Sequence, residues 1–312
     1  MYTTGTTTGC ADFLQKLAMA AAAAGWTVDQ NAAVTSDGWW LALHNGTGCY
    51  VNLHAKAADN QIDLWGATGY NGSNTYSNQP GVPSYSNLIA YTGGGPFVGY
   101  HIFTKTGTSP YLHCVIEVSA GVFVHLHMGT LVSPNGGGNV QYHGCSSITS
   151  VSGAYYNSFP AYQTAPWSNG SSDGMYINAT IDSVNRWFKN EWTASSPTKA
   201  IFPAVNQSLG APYGHMIYWT AAQAQPNTFN GLPVLLPMPL FLERAAGGIF
   251  AYVGDAPDVR QFNMRSNNPK DEITIGSDVW KVFPIGVKGS NVNVPSAPYC
   301  SGNGGFAFKK SA

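Results

Sequence analysis

The sequence predicts a mainly β protein with an N-terminal helix, one further short helix and a loop-rich β-sandwich or mixed β architecture. Three observations predict this class. Short runs alternate apolar and polar residues, turn signals separate these runs, and 36 glycines and 19 prolines interrupt the chain of 312 residues. Aromatic residues are too frequent for a disordered chain, with 9 Trp, 17 Tyr and 14 Phe. We therefore expect a folded protein with a large apolar core.

The first predicted element is a helix near the start of the chain. Apolar side chains recur there at helical spacing, namely Phe13, Leu14, Leu17 and the block Ala20–Ala24. Thr8 or Asp12 is the expected cap at its N-terminal end. Gly25 is expected to end the helix, because glycine readily adopts the left-handed backbone found there.

Three hairpins account for the clearest strands. Gly38–His44 and Gly48–His54 flank an Asn45-Gly46 turn, which is a strong hairpin signal. The other two hairpins are predicted to join Tyr111–Val118 with Val122–Met128, and Glu272–Ile275 with Val279–Phe283.

A second helix is predicted over Asn178–Trp192. Arg186 and Lys189 fall toward its C-terminal end, where the helix dipole favours cations. The apolar residues at helical spacing are Ile181, Val184, Trp187 and Phe188.

Two segments are expected in the chain. Residues 1–240 form the main β-rich body with the N-terminal helix, and residues 241–312 form a β-rich C-terminal segment. The proline-rich stretch Gly231–Leu240 is the candidate boundary. A sheet that continues through this stretch, and hence a single domain, is the alternative.

Charged residues are sparse. Asp, Glu, Lys and Arg make up 9% of the chain, against roughly 25% in average globular proteins. Between Leu64 and Ser172 only Lys105 and Glu117 are charged. Interface cores are depleted of charge and enriched in Tyr and Trp, so this stretch is predicted to supply much of a subunit interface.

The same pattern argues against other partners. The net charge is −1 and Lys and Arg are not clustered, so direct sequence-specific binding to nucleic acid is not expected. The longest uncharged apolar run, Ala18–Val28, is too short to span a bilayer. Met1–Cys10 contains no cation, unlike the start of a secretory leader, so we expect the chain to be made in the cytosol.

No metal or cofactor is expected. His125 and His127 share one face of a strand, and a three-histidine metal site would form with His113 if the hairpin register paired His113 with His125. No carboxylate or thiol is evidently placed to complete such a site, so partly buried structural histidines are the preferred interpretation. The cysteines are odd in number and widely spaced, which predicts free thiols at Cys10, Cys49, Cys114, Cys145 and Cys300.

Catalytic signatures are missing from the sequence. It contains no H-E-x-x-H, P-loop or G-x-G-x-x-G pattern. Glu117 stands alone in the middle of the chain, and we interpret it as a solvated strand residue or as the partner of a single basic group. The chain is therefore not expected to be an enzyme.

Aromatic residues with Asn and Ser around them are the candidate contact residues. They suit a subunit interface, where Tyr and Trp are enriched, and alternatively the stacking of carbohydrate rings. The candidates are Tyr70, Tyr76, Tyr85, Tyr155, Tyr156, Tyr162 and Trp167.

Three segments, spread from end to end of the chain, carry a resemblance to a known family. In the first, the N-terminal helix runs into Ala24–Val28 (AGWTV) and a strand pair follows. In the second, Leu112–Leu126, a valine-rich strand precedes a glycine turn. The third is Ile273–Pro284 (ITIGSDVWKVFP), followed by Ser301–Lys309 (SGNGGFAFK). Together these segments resemble a family of tailed-bacteriophage virion structural proteins of the tail or baseplate type.

The resemblance implies a structural subunit of the phage particle, located in the tail, the baseplate or the neck between head and tail. Such a subunit would act by packing against copies of itself and against other tail or neck proteins, within a homo-oligomer. A receptor- or glycan-binding tail-fibre module that contacts the host surface is the first alternative, and a cell-wall hydrolase is the second. The resemblance also implies assembly in the host cytoplasm and a final location in the virion.

Overall fold

The fold is mainly β with few helices, as predicted. A computed structural model describes residues 1–35, 37–46, 48–83, 88–134, 140–146, 174–189, 200–201, 227, 231–244, 250–288 and 304–310. Within these ranges the chain forms one α-helix, one short 3-10 helix (Met264–Ser266) and nineteen strands, which are numbered below in chain order.

Seven antiparallel strands form the central sheet. The predicted hairpin of residues 111–128 lies in its middle. Residues 97–105 pair on one side with the first strand of that hairpin and on the other side with a strand from the very start of the chain. In spatial order the strands are β1 (Tyr2–Thr7), β7 (Phe97–Lys105), β8 (Tyr111–Ser119), β9 (Val122–Thr130), β10 (Gln141–Cys145), β11 (Gly174–Ile181) and β12 (Val184–Lys189).

Five antiparallel strands form a second sheet, called here the helix-side sheet. Its β3–β4 hairpin is the one predicted around Asn45-Gly46, and Gly46 adopts the positive φ of 55° that such a turn requires. In spatial order its strands are β2 (Thr27–Val34), β3 (Gly38–Asn45), β4 (Cys49–Lys56), β5 (Gln61–Ala67) and β6 (Leu88–Tyr91).

Helix α1 (Cys10–Ala23) connects β1 to β2 and confirms the predicted N-terminal helix. Gly25 follows it with a φ of 92°, as expected, and the amide N–H groups of Gly25 and Trp26 donate to the carbonyls of Ala22 and Ala21. The N-cap residue is Gly9, which makes no side-chain capping bond. Asp12 instead accepts a hydrogen bond from the backbone N–H of Thr8, with an N···O distance of 2.8 Å.

The remaining strands form two smaller sheets. A three-stranded sheet contains β13 (Ala200–Ile201), β14 (Pro239–Glu243) and β15 (Phe250–Asp255). A four-stranded sheet, called here the C-terminal sheet, has the order β16 (Val259–Asn263), β19 (Gly304–Lys309), β18 (Asp278–Pro284) and β17 (Glu272–Ile275). The predicted hairpin of residues 272–283 is β17–β18.

The central sheet is covered on both faces. Cys114 and Ile116 of β8 belong to a first core shared with α1 and the helix-side sheet. The alternate residue Val115 belongs to a second core shared with β14 and the C-terminal sheet. Most residues of β7 to β10 are therefore buried. Burial inside the chain thus explains the scarcity of charge in β7 to β10. It does not explain the uncharged loop of residues 68–83, which is exposed at many positions.

The predicted second helix is wrong. Residues 174–189 form the hairpin β11–β12, and residues 190–192 lie outside the described part of the chain. Ile181 and Val184 show helical spacing because they face each other across a two-residue turn. In that turn Asp182 and Ser183 have φ values of 52° and 63°. Both angles are typical of a hairpin turn, although neither residue is the glycine that usually signals one.

The expected boundary after residue 240 falls inside β14. Leu240 and Leu242 of this strand lie in the second core together with Phe306 and Phe308 of the C-terminal sheet. The division into two segments remains a prediction.

Among the described residues, no helix has both the length and the apolar character needed to cross a membrane.

Candidate functional site

Two of the seven candidate aromatic residues lie in the described part of the chain. Tyr70 and Tyr76 belong to the loop of residues 68–83, which follows β5. The other five, Tyr85, Tyr155, Tyr156, Tyr162 and Trp167, lie outside the described residues.

The loop packs on the outer face of the helix-side sheet, where it forms an aromatic cluster with Trp40, His54 and Trp65. The ring of Tyr76 stacks on His54 with a centroid separation of 4.1 Å and lies 5.1 Å from Trp65. Tyr70 lies 6.2 Å from Trp40. Trp40, His54 and Trp65 are buried, whereas Tyr70 and Tyr76 are half-buried.

Polar groups complete the aromatic cluster. The hydroxyl of Tyr76 donates to the Asp37 carboxylate at 3.3 Å, and the Nε2 atom of His54 lies 2.9 Å from the Asp37 carbonyl oxygen. Burial lowers the pKa of His54, and the charge of Asp37 opposes this effect. The Tyr70 hydroxyl donates to Gln30 at 3.3 Å. Both tyrosine hydroxyls are thus engaged within the chain, and the interface and carbohydrate interpretations of these residues remain predictions.

Gln79 organises this loop, and sequence reasoning missed it. Its side-chain oxygen accepts from the backbone N–H of Asn71 at 2.7 Å. Its side-chain nitrogen lies 3.1–3.2 Å from the carbonyl oxygens of Asn71, Asn74 and Thr75. The Gln79 side-chain amide is buried, so water has little access to these backbone groups and cannot readily take over its hydrogen bonds. A lone Gln in a polar loop gives no sequence signal for this role.

Replacing Gln79 with Met is expected to free the loop from the sheet. Methionine has a similar volume but makes none of the four hydrogen bonds, and we expect the closed loop to lose about 2 kcal/mol. Limited proteolysis should then cut within residues 68–83 much faster than in wild type. Asn78→Ala, at an exposed position in the same loop, is the matched control. Equal cleavage of both variants would show that Gln79 does not hold the loop.

A second group of side chains, the imidazole cluster, consists of His113, His125 and His127. The register pairs His113 with His127 rather than with His125. The observed and expected registers differ by two residues, and a shift of two residues leaves every side chain on the same face of the sheet. All three rings therefore face the second core. They are fully buried, with centroids 5.1 Å apart for His113 and His127 and 5.7 Å apart for His125 and His127.

Hydrogen bonds fix two rings of the imidazole cluster. The Nε2 atoms of His113 and His125 each lie 2.9 Å from a backbone carbonyl oxygen, of Pro257 and Pro284 respectively. Burial lowers the pKa of both histidines to about 4, and that of His127 well below its usual value. The rings are therefore neutral at pH 7. In the described part of the chain, no three His, Cys, Asp or Glu side chains are grouped as a metal ion would require.

Glu117 has the single basic partner that was one of its two expected roles. Its carboxylate lies 2.9 Å from the Nζ atom of Lys270 and also accepts from the backbone N–H of Gly121 at 3.1 Å. The side chain is buried, so it is not a solvated strand residue. The ion pair joins β8 to the segment that precedes β17.

The cysteines in the described part of the chain are dispersed through the fold. Cys49 and Cys114 lie in the first core, where burial raises the pKa of both thiols. Cys300 lies outside the described residues. That all five cysteines are free thiols remains a prediction.

Two strands with few charged residues, β1 and β2, lie at open sheet edges. β1 ends the central sheet and β2 ends the helix-side sheet, and no further strand among the described residues pairs with either. The segments YTTGTT and TVDQNAAV contain no Lys, Arg or Pro, and their one charge, Asp29, lies 2.7 Å from His44. Each strand has one irregularity of register, between Gly5 and Thr7 and between Val28 and Gln30.

No protein-family model matches the chain, and no curated protein is significantly similar to it.

Proposed function

We propose that the chain is a structural subunit of a tailed-phage particle, in the tail, the baseplate or the neck between head and tail. It works by packing against copies of itself and other particle proteins. The observation that carries this proposal is the pair of open, nearly uncharged strand edges, β1 and β2, on either side of α1. The resemblance of the N-terminal, middle and C-terminal segments to tailed-phage structural proteins indicates the kind of assembly.

Open edges favour contact with another chain because each presents unpaired backbone N–H and C=O groups. Monomeric proteins commonly protect such edges with Lys, Pro or charged side chains. Two other edges follow that practice. β12, at the opposite edge of the central sheet, carries Arg186, and β17, at an edge of the C-terminal sheet, carries Glu272 in ion pairs with Lys281 and Lys310. β6, at the opposite edge of the helix-side sheet, is uncharged but has only four residues. β1 and β2 lack this protection apart from their register irregularities, and a strand of a neighbouring subunit can extend either sheet.

The surface between the two edges also suits a protein contact. Helix α1 packs against both β1 and β2. Met19 on its outer side is 72% exposed, and Ala22 and Ala23 are exposed as well. Within residues 1–35 the charged side chains are Asp12, Lys16 and Asp29, and Asp12 and Lys16 pair with each other at 3.3 Å. The region therefore offers a sparsely charged contact surface next to two strands that can accept partners.

Lysine substitutions on these edges test the proposal. Thr6→Lys on β1 and Ala33→Lys on β2 each place a charge at an exposed edge position. Each variant is expected to fold with wild-type thermal stability, because the positions face solvent in the isolated chain. In complementation of a phage that lacks this chain, incorporation into particles should fall at least about tenfold, the effect of roughly 1.4 kcal/mol per contact.

Ser266→Lys is the matched control. Ser266 is exposed at the end of the 3-10 helix, in the charged segment Asp255–Glu272, and this variant should enter particles normally. If the edge variants enter particles as well as the control does, β1 and β2 are not the assembly contacts.

A further inference from the structure

The joint between the central sheet and the C-terminal sheet contains most of the buried histidines of the described chain. His101 of β7 lies there together with the imidazole cluster, and its ring is 4.8 Å from that of Phe283. Phe306 and Phe308 of β19 lie against the imidazole cluster, with ring centroids 5.6–6.1 Å from those of the histidines. In contrast, the first core contacts one fully buried histidine, His143 of β10, beside Trp187.

Hydrogen bonds across this joint fix the positions of the ring protons. A carbonyl oxygen can only accept, so His113 and His125 carry their proton on Nε2 and donate to Pro257 and Pro284. Pro257 lies just before β16, and Pro284 ends β18. The unprotonated Nδ1 atom of His113 then accepts from Nδ1 of His127 at 3.1 Å. A second proton on His113 would set two N–H groups against each other.

His125 has no room for a second proton either. Its Nδ1 atom is buried and makes no hydrogen bond to any described residue. A proton added there would be a buried charge without an acceptor, which is strongly unfavourable. The neutral form of the joint is therefore the form that packs.

Few charges in the surrounding elements can stabilise a protonated histidine in this joint. Asp258, in the turn before β16, is the carboxylate that acts on His113, and it also lies 3.6 Å from Nζ of Lys105. The charges that act on His101 are those of Lys281, Lys270 and Glu117.

The balance of these effects is unfavourable to protonation. The two lysines near His101 oppose a positive ring, and Glu117 is already paired with Lys270. The phenols of Tyr111 and Tyr142 also face His113, and they are uncharged at acidic pH.

We propose that this joint is an acid-sensitive device, in which protonation of the buried histidines releases the C-terminal sheet from the central sheet while the first core stays folded. Once the joint is open, its four histidines bind protons with their ordinary affinity. Opening then takes up as many as four protons, and by linkage the opening constant rises by up to about tenfold per proton for each pH unit below the usual histidine pKa. Opening of the first core exposes one such histidine, His143. It therefore takes up fewer protons, and acid favours it less.

Hydrogen exchange of the full chain directly measures the order in which the joint and the first core open as the pH falls. Samples equilibrated between pH 7.5 and 4.5 are compared after correction for the intrinsic exchange rate at each pH. We expect peptides from β16, β18 and β19 to lose protection at a higher pH than peptides from α1 and β4. Loss of protection in all of these peptides at the same pH, or first in α1 and β4, would overturn the proposal.

Two variants link the effect to the histidines. His113→Gln and His125→Gln keep an N–H donor for Pro257 and Pro284 but cannot be protonated. Each variant should lower the pH at which the C-terminal sheet opens. Each should also reduce the number of protons taken up on opening by about one. His44→Gln, in the helix-side sheet, should change neither quantity. If the wild type opens in the expected order but both variants open at the wild-type pH, the imidazole cluster is not the trigger and the proposal fails.

Discussion

Replacing Gly66 with alanine is expected to lower the free energy of unfolding by about 3 kcal/mol, which is large for one methyl group. Gly66 lies on β5 and faces the first core, where an added Cβ would overlap with Nε2 of His143 and with the indole of Trp187. Neither ring can easily move. His143 is fully buried, and the Trp187 N–H donates to the carbonyl of Gly81 at 2.7 Å.

Urea unfolding of Gly66→Ala and Gly69→Ala measures this effect. Gly69 lies two residues after the end of β5, and its added Cβ would have Pro80 at an ordinary contact distance of 3.5 Å. We expect Gly69→Ala to stay within about 0.5 kcal/mol of wild type. Similar stabilities for the two variants would mean that the helix-side and central sheets are not packed as described.

Acid is expected to destabilise the fully native state strongly between pH 6.5 and pH 4. The folded-state pKa values of His101, His113 and His125 are lowered by burial to about 4, so the unfolded chain binds more protons within this range. Their contribution to stability is complete above the unfolded pKa of about 6.5 and is lost as the pH falls toward 4. The loss amounts to about 3 kcal/mol for each histidine.

The sum of these losses is comparable to the total stability of a typical domain, about 5–15 kcal/mol. We therefore expect thermal unfolding temperatures to fall steeply from pH 6.5 downward and the native fold to be lost before pH 4. A thermal unfolding series from pH 8 to pH 4 measures this. Stability that is unchanged between pH 6.5 and pH 5 would contradict the neutral, buried state of the three rings.

Local sequence signals were sufficient for several elements of the fold. The apolar spacing of α1 with Gly25 at its end, and the turns of the β3–β4, β8–β9 and β17–β18 hairpins, lie within short segments. The β11–β12 hairpin was mistaken for a helix because Asp182 and Ser183 adopt positive φ without the usual glycine signal. The order of the sheets was not predictable, since β1 pairs with β7 from a distant part of the chain.

The candidate sites show the same division between local and distant information. Alternation in β9 placed His125 and His127 on one face, but the register with His113 depends on the β8–β9 turn and its irregularity near Ser119. The sparse charge of Leu64–Ser172 was read as a sign of subunit contact. In β8 and β9, burial under two other layers accounts for it, and such layers cannot be inferred from composition. The loop of residues 68–83 is exposed at many positions, and a subunit contact there remains a prediction.

Analysis of purified phage particles tests the central claim, that this chain is a packed structural subunit, most directly. Lys16 lies on α1, which packs against both open edges, and is the sole cationic side chain of residues 1–35. Quantitative mass spectrometry combined with amine cross-linking is expected to find several copies of the chain per particle, with Lys16 linked to neighbouring subunits. Absence of the chain from purified particles, while it accumulates in the lysate of infected cells, would contradict the claim.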